Sequence, residues 1–249
     1  MRYRAVLFDL DDTLIPEAPA IQAGFDAVAA RVWGAVTAAR SAALREAAYA
    51  AWAQHAPAQE YLAGVHVDAA DGLHGALAGQ GEEAAAVRSF VPAFHELAFE
   101  AALPARAAGT SRELAGVWRE ARIAHLTAYP ETRAVLESLR ADRRLGLVTN
   151  GPSNLQRLKV RQTGLADYFS VVVAAEDVGV GKPGAPIFAA AMRELDLGPG
   201  EVVMVGNDLG RDIVGARAAG IDAIWVDRER VDPAADGLTD LGELRDRLA

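Results

Sequence analysis

The sequence VLFDLDDTL, at Val6–Leu14, joins a short apolar run to a group of acidic residues. The run Tyr3–Phe8 has the length and the apolar side chains of a buried strand. The chain therefore leaves this predicted strand with Asp9 and Asp11 at its carboxyl end. Further apolar runs of the same kind lie at Leu145–Val148, Val171–Ala174, Val202–Val205 and Ala223–Val226.

Helical patterns lie before and between the later strands. They are Pro130–Arg140, Leu155–Thr163 closed by Gly164, Pro186–Leu195 closed by Gly198, and Ile213–Ala219 closed by Gly220. A glycine just beyond the last periodic residue is a common helix stop. Because strands and helices alternate, we predict an α/β fold with a doubly wound, Rossmann-like parallel sheet.

Residues 17–126 differ from the rest of the chain. They are rich in Ala, Leu, Glu and Arg, carry few strand signals, and space Trp33, Trp52 and Trp118 along helix-like segments. Packed helices with aromatic anchors explain this pattern better than a low-complexity segment. We therefore predict an α/β core of residues 1–16 and 127–249 that is interrupted by an all-α domain of residues 17–126.

The composition is that of a globular protein with a sizeable core. The chain has 249 residues, 51% of them hydrophobic, no cysteine and a formal net charge of −9. Its apolar runs are too short to cross a bilayer, and its start lacks the pattern of a signal peptide, so we expect a cytoplasmic protein. The negative charge disfavours nucleic acid and anionic membranes as partners. The sequence is compatible with either a monomer or a homodimer.

Polar and charged residues follow the predicted strands. They are Asp9, Asp11 and Thr13 after the first strand, Thr149 and Asn150 after the second, Lys182 beyond the third, and Asn207, Asp208 and Asp212 after the fourth. Taken singly, such residues often serve as turns and helix caps. In a doubly wound sheet, however, the carboxyl ends of the strands meet at one edge, where ligands bind. The convergence of these residues predicts a functional site.

Asp9 and Asp11 are the hardest to explain by structure alone. Two carboxylates on either side of Leu10, at the end of a buried strand, repel each other unless a cation joins them. Mg²⁺ prefers carboxylate, carbonyl and water oxygens together with substrate phosphate. Because Asp208 arrives from the fourth strand to complete such a set, we predict a magnesium site.

Four stretches resemble, in order, the signature motifs of the haloacid dehalogenase-like (HAD) superfamily. They are VLFDLDDTL at Val6–Leu14, LVTNG at Leu147–Gly151, GKPGAPIF at Gly181–Phe188 and VGNDLGRDIVGARAAG at Val205–Gly220. The match covers the predicted core. The all-α insertion is similar to the helical cap that some members carry between the first and second motifs, and the resemblance implies that this cap sets the substrate.

The resemblance also implies roles for matching residues. Asp9 is expected to attack phosphorus and form an aspartyl-phosphate. Asp11 is expected to protonate the leaving alcohol and later to take a proton from the hydrolytic water. Thr149 and Lys182 are expected to be catalytic and, together with Asn150, to bind the phosphoryl group. The implied activity is Mg²⁺-dependent hydrolysis of a small-molecule phosphate monoester, whose identity the sequence does not specify.

The fourth motif departs from the pattern of many relatives. The resemblance places Mg²⁺ on Asp9, on the carbonyl of Asp11 and on a residue of this motif. Many relatives have Asp directly after the motif's first glycine, whereas here Asn207 comes first and Asp208 second. We favour Asp208 as the ligand, supported by Asp212, because their separation matches a family variant. Asn207 stays open as an alternative or additional ligand.

Other functions are also open. A dehalogenase uses an aspartate nucleophile to attack carbon, but Asp11 argues against it because a halide leaves without a proton. A phosphotransferase or sugar-phosphate mutase would share every core residue and differ in whether water is excluded from the intermediate. A noncatalytic binding protein is a further alternative, because the fold alone does not fix function. The intact set of candidate residues argues against it, since a binding protein would not need them.

Overall fold

The computed structural model describes residues 2–105, 107, 109–228, 230–231 and 237–248. Within these ranges the strands are β1 (Ala5–Phe8), β2 (Arg144–Thr149), β3 (Val171–Ala174), β4 (Val202–Gly206) and β5 (Asp222–Trp225). All of them pair in parallel, in the order β3-β2-β1-β4-β5. The predicted parallel α/β sheet is confirmed, and each strand lies within two residues of its predicted run.

The central strand shows why the strands read as continuous apolar runs. Every residue of β1 is fully buried, as expected for a parallel strand that is covered on both faces. Beside it, Gly146 of β2 aligns with Leu7 on one side and with Val171 on the other. A Cβ atom at Gly146 would lie 2.8 Å from a Leu7 methyl group and 2.9 Å from a Val171 methyl group. Glycine therefore allows the close approach of these neighbours.

The chain divides into two compact units, of which one is helical and comprises Glu17–Leu126 and Pro152–Leu155. Its main helices are α1 (Glu17–Trp33), α2 (Ala38–His55), α3 (Gln59–Val65), α4 (Ala69–His74), α5 (Glu82–Leu97) and α6 (Ser111–Ala124). Trp52 and Trp118 are buried, and their rings contact Phe94 and Phe25 at 4.9 Å and 5.7 Å between centroids. These aromatic pairs help to stabilise the unit. Its role as a cap stays a prediction.

The other unit comprises Met1–Pro16, Thr127–Gly151 and Gln156–Ala249 and contains the sheet. Within the described ranges, the further α-helices are α7 (Thr132–Arg140), α8 (Ser153–Gln162), α9 (Ala175–Val178), α10 (Ala185–Leu195), α11 (Gly215–Ala218) and α12 (Leu244–Arg247). None of the helices in the described ranges combines the length and the apolar character that a membrane-spanning segment needs.

The start of the helix after β4 differs from the prediction. The sequence predicts a helix from Ile213, whereas a π-helical turn already begins at Leu209 and continues into α11. The Asp208 side chain caps this turn by accepting a hydrogen bond from the Arg211 backbone N–H, at 2.7 Å. The predicted start was wrong because a polar capping residue, and not the first apolar residue, sets it.

Candidate active site

A buried lysine joins an aspartate that directly follows β1 to an aspartate in the turn after β4. Lys182 Nζ lies 2.5 Å from Asp9 Oδ1 and 2.7 Å from Asp212 Oδ1. All three side chains are buried. The structure thus brings together Asp9, Lys182 and Asp212, which come from three separate segments of the sequence.

The ammonium and the two carboxylates influence one another strongly. Burial raises the pKa of Asp9 to about 7, although the attraction of Lys182 acts in the opposite direction. Burial also disfavours a charged lysine, but Asp212 and Asp9 outweigh it and raise the pKa of Lys182. Lys182 is therefore charged at neutral pH and brings positive charge to a site in which the carboxylates alone would repel an anion.

The position of Asp212 depends on a glycine at the end of β4. A Cβ atom at Gly206 would overlap the Asp212 carboxylate. The same carboxylate accepts a hydrogen bond from the Asp208 backbone N–H, at 2.9 Å. Because only a glycine leaves room here, Asp212 can reach both Lys182 and the start of the π-helical turn.

Asn207 and Asp208 point to different neighbours. One terminal atom of the Asn207 amide lies 3.1 Å from Thr13 Oγ1, 3.3 Å from Asp9 Oδ2 and 3.2 Å from the Asp11 carbonyl oxygen. Asp208, in contrast, forms an ion pair with Arg211 at 2.6 Å, and the same residue supplies the backbone N–H that it caps. The structure therefore brings Asn207, and not Asp208, next to the two aspartates of the first motif.

The surroundings of Asn207 fit a hard divalent cation. With its NH₂ group turned inward, the amide has two hydrogens to donate among these three oxygens, and with its oxygen turned inward it adds a ligand beside Asp9 Oδ2 and the Asp11 carbonyl. The inward oxygen would lie 3.3 Å from Asp9 Oδ2 and 3.2 Å from the Asp11 carbonyl oxygen, close to the spacing of neighbouring ligands around Mg²⁺ with its bonds of about 2.1 Å. The described residues contain no cluster of three His, Cys, Asp or Glu side chains suited to a metal. A site here would instead combine carboxylate, carbonyl and amide oxygens.

Asp11 contacts two buried residues that sequence reasoning missed. Lys159 Nζ lies 2.9 Å from each carboxylate oxygen of Asp11. Gln156 Nε2 donates to Asp11 Oδ2 at 2.8 Å and to Thr149 Oγ1 at 2.6 Å. Lys159 and Gln156 share one face of α8 because they are three positions apart on the helix. One signal was available: the chain has only two lysines, Lys159 and Lys182, beside 23 arginines.

The two predicted phosphoryl-binding residues after β2 have different surroundings. The Thr149 hydroxyl accepts the bond from Gln156 and donates to the Asn150 carbonyl at 3.3 Å. The Asn150 side chain bonds the backbone of Lys182 twice, donating to its carbonyl at 3.0 Å and accepting from its N–H at 2.7 Å. Asn150 therefore fixes the loop from which the Lys182 side chain reaches Asp9.

Several known proteins are similar to this chain over nearly its whole length. The haloacid dehalogenase-like hydrolase family matches residues 3–220. The chain is 35% identical over 255 residues to the phosphoserine phosphatase of Thermus thermophilus, covering 98% of this chain and 97% of that protein. It is also similar to the solved structure of a HAD phosphatase from Thermococcus onnurineus, with 29% identity, a TM-score of 0.61 and coverage of 99% and 98%. The solved structure of a 2-haloacid dehalogenase from Pseudomonas syringae pv. tomato is also similar, with 28% identity, a TM-score of 0.63 and coverage of 99% and 98%. The chain belongs to the haloacid dehalogenase-like hydrolase family.

Proposed function

We propose that this phosphoric monoester hydrolase cleaves small-molecule phosphate esters with Asp9 as covalent nucleophile and Asp11 as general acid and base. One observation carries the proposal: the two aspartates at the end of β1 have different cationic partners. Asp9 is paired with Lys182 and Asp11 with Lys159. Two carboxylates held in separate environments can perform two separate tasks.

The proposed reaction has two steps. In the first, an Asp9 carboxylate oxygen forms a bond to phosphorus while the ester P–O bond breaks, and Asp11 gives its proton to the departing alcohol oxygen. In the second, water attacks the same phosphorus, Asp11 takes a proton from that water, and the bond between phosphorus and Asp9 breaks. The products are the alcohol and inorganic phosphate, and both aspartates return to their starting states.

The remaining side chains bind and orient the phosphoryl group in this proposal. Lys182, which also forms an ion pair with Asp212, balances the negative charge of the phosphoryl group. The Thr149 hydroxyl donates a hydrogen bond to a phosphoryl oxygen. Asn150 holds the Lys182 loop through its two backbone bonds. Phosphoryl transfer depends mostly on such positioning and charge compensation.

Phosphatases of this family use a divalent metal, and we propose Mg²⁺ here. Asp9 Oδ2, the Asp11 carbonyl and the Asn207 amide oxygen would hold it, so that Asn207 takes the role predicted for Asp208. The bound ion supplies positive charge that stabilises the transferring phosphoryl group. Asp208 serves instead as the cap of the π-helical turn, because its carboxylate already bonds the Arg211 backbone and side chain.

Paired substitutions separate these roles. We expect Asn207→Ala to raise the Mg²⁺ concentration for half-maximal activity by about tenfold or more, as loss of a metal ligand or its support does. Asp208→Ala should leave that concentration unchanged and lower the free energy of unfolding by about 1 kcal/mol, through loss of the cap. Magnesium titrations of phosphate release, together with urea unfolding, measure both. A raised magnesium requirement in Asp208→Ala alone would return the ligand role to Asp208.

Structural similarity to a dehalogenase does not favour carbon attack in this chain. The halide that leaves in a dehalogenation needs no proton, so such an enzyme has no use for an acid two residues after its nucleophile. Here Asp11 is present, and Lys159 and Gln156 bond its carboxylate. The presence of an acid at this position favours a reaction with a proton transfer, as phosphate ester hydrolysis requires.

Phosphate release from a panel of phosphomonoesters, with Mg²⁺ and with EDTA, tests the proposed function. O-phosphoserine leads the panel because the relative from Thermus thermophilus is a phosphoserine phosphatase; sugar phosphates and nucleotides follow, with 2-chloropropionate to detect dehalogenation. We expect magnesium-dependent release from at least one small ester. Chloride release without metal, or transfer of phosphate to a sugar acceptor in place of water, would replace the proposal with the dehalogenase or the mutase reading.

A further inference from the structure

The two lysines of the chain have the same kind of surroundings. Both are almost fully buried, with exposed fractions of 1% for Lys159 and 2% for Lys182, and each contacts one aspartate of the first motif. Of the 25 lysine and arginine residues in the chain, the other 23 are arginines. A buried charge is costly unless it is paired, and Lys182 already belongs to the proposed catalytic set. In the proposed function Lys159 is only the partner that distinguishes Asp11 from Asp9.

The geometry around Lys159 suits a small point charge. Its ammonium is equally distant from both Asp11 carboxylate oxygens, 2.9 Å from each. The ammonium of lysine is a compact charge on a flexible four-carbon stem, and the two carboxylate oxygens share this single charge. Lys159 therefore contacts Asp11 equally whichever of the two carboxylate oxygens transfers the proton.

Gln156 fixes the rotation of the same carboxylate. Its amide nitrogen bonds Asp11 Oδ2 at 2.8 Å and Thr149 Oγ1 at 2.6 Å, and its exposed fraction is 1%. Gln156 therefore connects the general acid and base to a proposed phosphoryl-binding hydroxyl. A shift of Asp11 or Thr149 would disturb the other residue, because the amide that connects them is buried and uses both of its hydrogens in these two bonds.

We propose that Lys159 and Gln156 are positioning residues that hold the Asp11 carboxylate at the place where it gives and takes protons. The inference rests on the proposed function, because it assigns Asp11 its acid and base role. In this proposal each residue acts through Asp11, whose carboxylate it contacts. Proton transfer is sensitive to such positioning, and a misplaced acid loses much of its contribution.

Leaving-group dependence tests the proposal. An alkyl phosphate needs a proton on its departing oxygen, whereas p-nitrophenyl phosphate releases a stable phenolate without one. In kcat/KM, which reports the steps up to release of the alcohol, we expect Lys159→Met to lower the value for an alkyl ester by about 100-fold and the value for p-nitrophenyl phosphate by much less. Gln156→Leu should show the same difference at smaller size. Equal losses on both esters would mean that Lys159 only supports the fold.

Two reference variants make the outcomes separable. Asp11→Asn should show the same leaving-group dependence, and adding Lys159→Met to it should cause no further loss, since Lys159 then has no acid to position. Arg157→Met, which removes another ion pair of α8, with Asp177, should leave both kcat/KM values near wild type. If Asp11→Asn shows no such dependence, the acid role in the proposed function fails. If it does and Lys159→Met does not, only the present inference fails.

Discussion

Replacing Asp9 by Asn is expected to reduce phosphate release by about 10⁴-fold or more, as removal of a covalent nucleophile does in other enzymes. The amide is nearly the same size as the carboxylate and keeps an oxygen that can accept the bond from Lys182, which lies 2.5 Å from Asp9 Oδ1. It is nevertheless a far weaker nucleophile. Steady-state phosphate release under saturating Mg²⁺ measures the loss.

The control for this change is a matching substitution far from the sheet edge. Asp196 is exposed at the end of α10, in a left-handed conformation that asparagine also tolerates. Asp196→Asn should keep wild-type turnover, and the thermal unfolding of both variants should show that the fold is intact. Substantial turnover by a folded Asp9→Asn protein would remove Asp9 from the nucleophile role and, with it, the aspartyl-phosphate step.

The sheet and much of the candidate site could be predicted because their signals are local in sequence. A strand buried on both faces, such as β1, has to be apolar throughout, so its limits show directly in the sequence. The residue after its last apolar position is then at the carboxyl edge. This reasoning predicts that Asp9, Thr149 and Lys182 lie near one another, and the distance of 2.5 Å between Lys182 Nζ and Asp9 Oδ1 agrees with it.

The choice between Asn207 and Asp208 could not be made from spacing. After β4 the chain enters a π-helical turn, and Asp208 becomes its cap. The Trp225 indole donates to the Asn207 carbonyl at 2.8 Å, which fixes the backbone one residue earlier. Which of two adjacent side chains faces Asp9 depends on these tertiary contacts. The spacing between Asp208 and Asp212 holds no information about them.

The roles of Lys159 and Gln156 could not be predicted from the sequence for a related reason. Within the helical pattern of α8 they read as ordinary polar positions, since Lys and Gln are good helix formers. Their burial arises only when this helix packs beside the end of β1, where Asp11 accepts their bonds. The rarity of lysine in this chain was the one local signal. It could not be interpreted without the contact between Lys159 and Asp11, which only the structure shows.

Replacing Lys182 by Met should cause large losses of both activity and stability. The change leaves the Asp9 and Asp212 carboxylates buried without the ammonium that lies between them. Removing one partner of a buried ion pair lowers the free energy of unfolding by about 3–5 kcal/mol. Activity should fall by about 10³-fold, because the phosphoryl group loses a charge partner. Urea unfolding in EDTA and phosphate release measure the two effects.

The stability loss in Lys182→Met should depend on pH in a defined direction. Burial already raises the pKa of Asp9 from 3.8 to about 7 while Lys182 opposes the shift, so removing Lys182 raises it further. A carboxyl group whose folded pKa lies above its unfolded value stabilises the fold at low pH and loses that contribution as pH rises through the folded pKa. The difference in free energy of unfolding from wild type should therefore be smaller at pH 5.5 than at pH 8. Adding Asp212→Asn should recover part of the stability at pH 8 without restoring activity, because it removes the repulsion but returns no charge to the phosphoryl group. If the difference from wild type is constant with pH, Lys182 stabilises the fold through its packing and not by compensating the buried carboxylates.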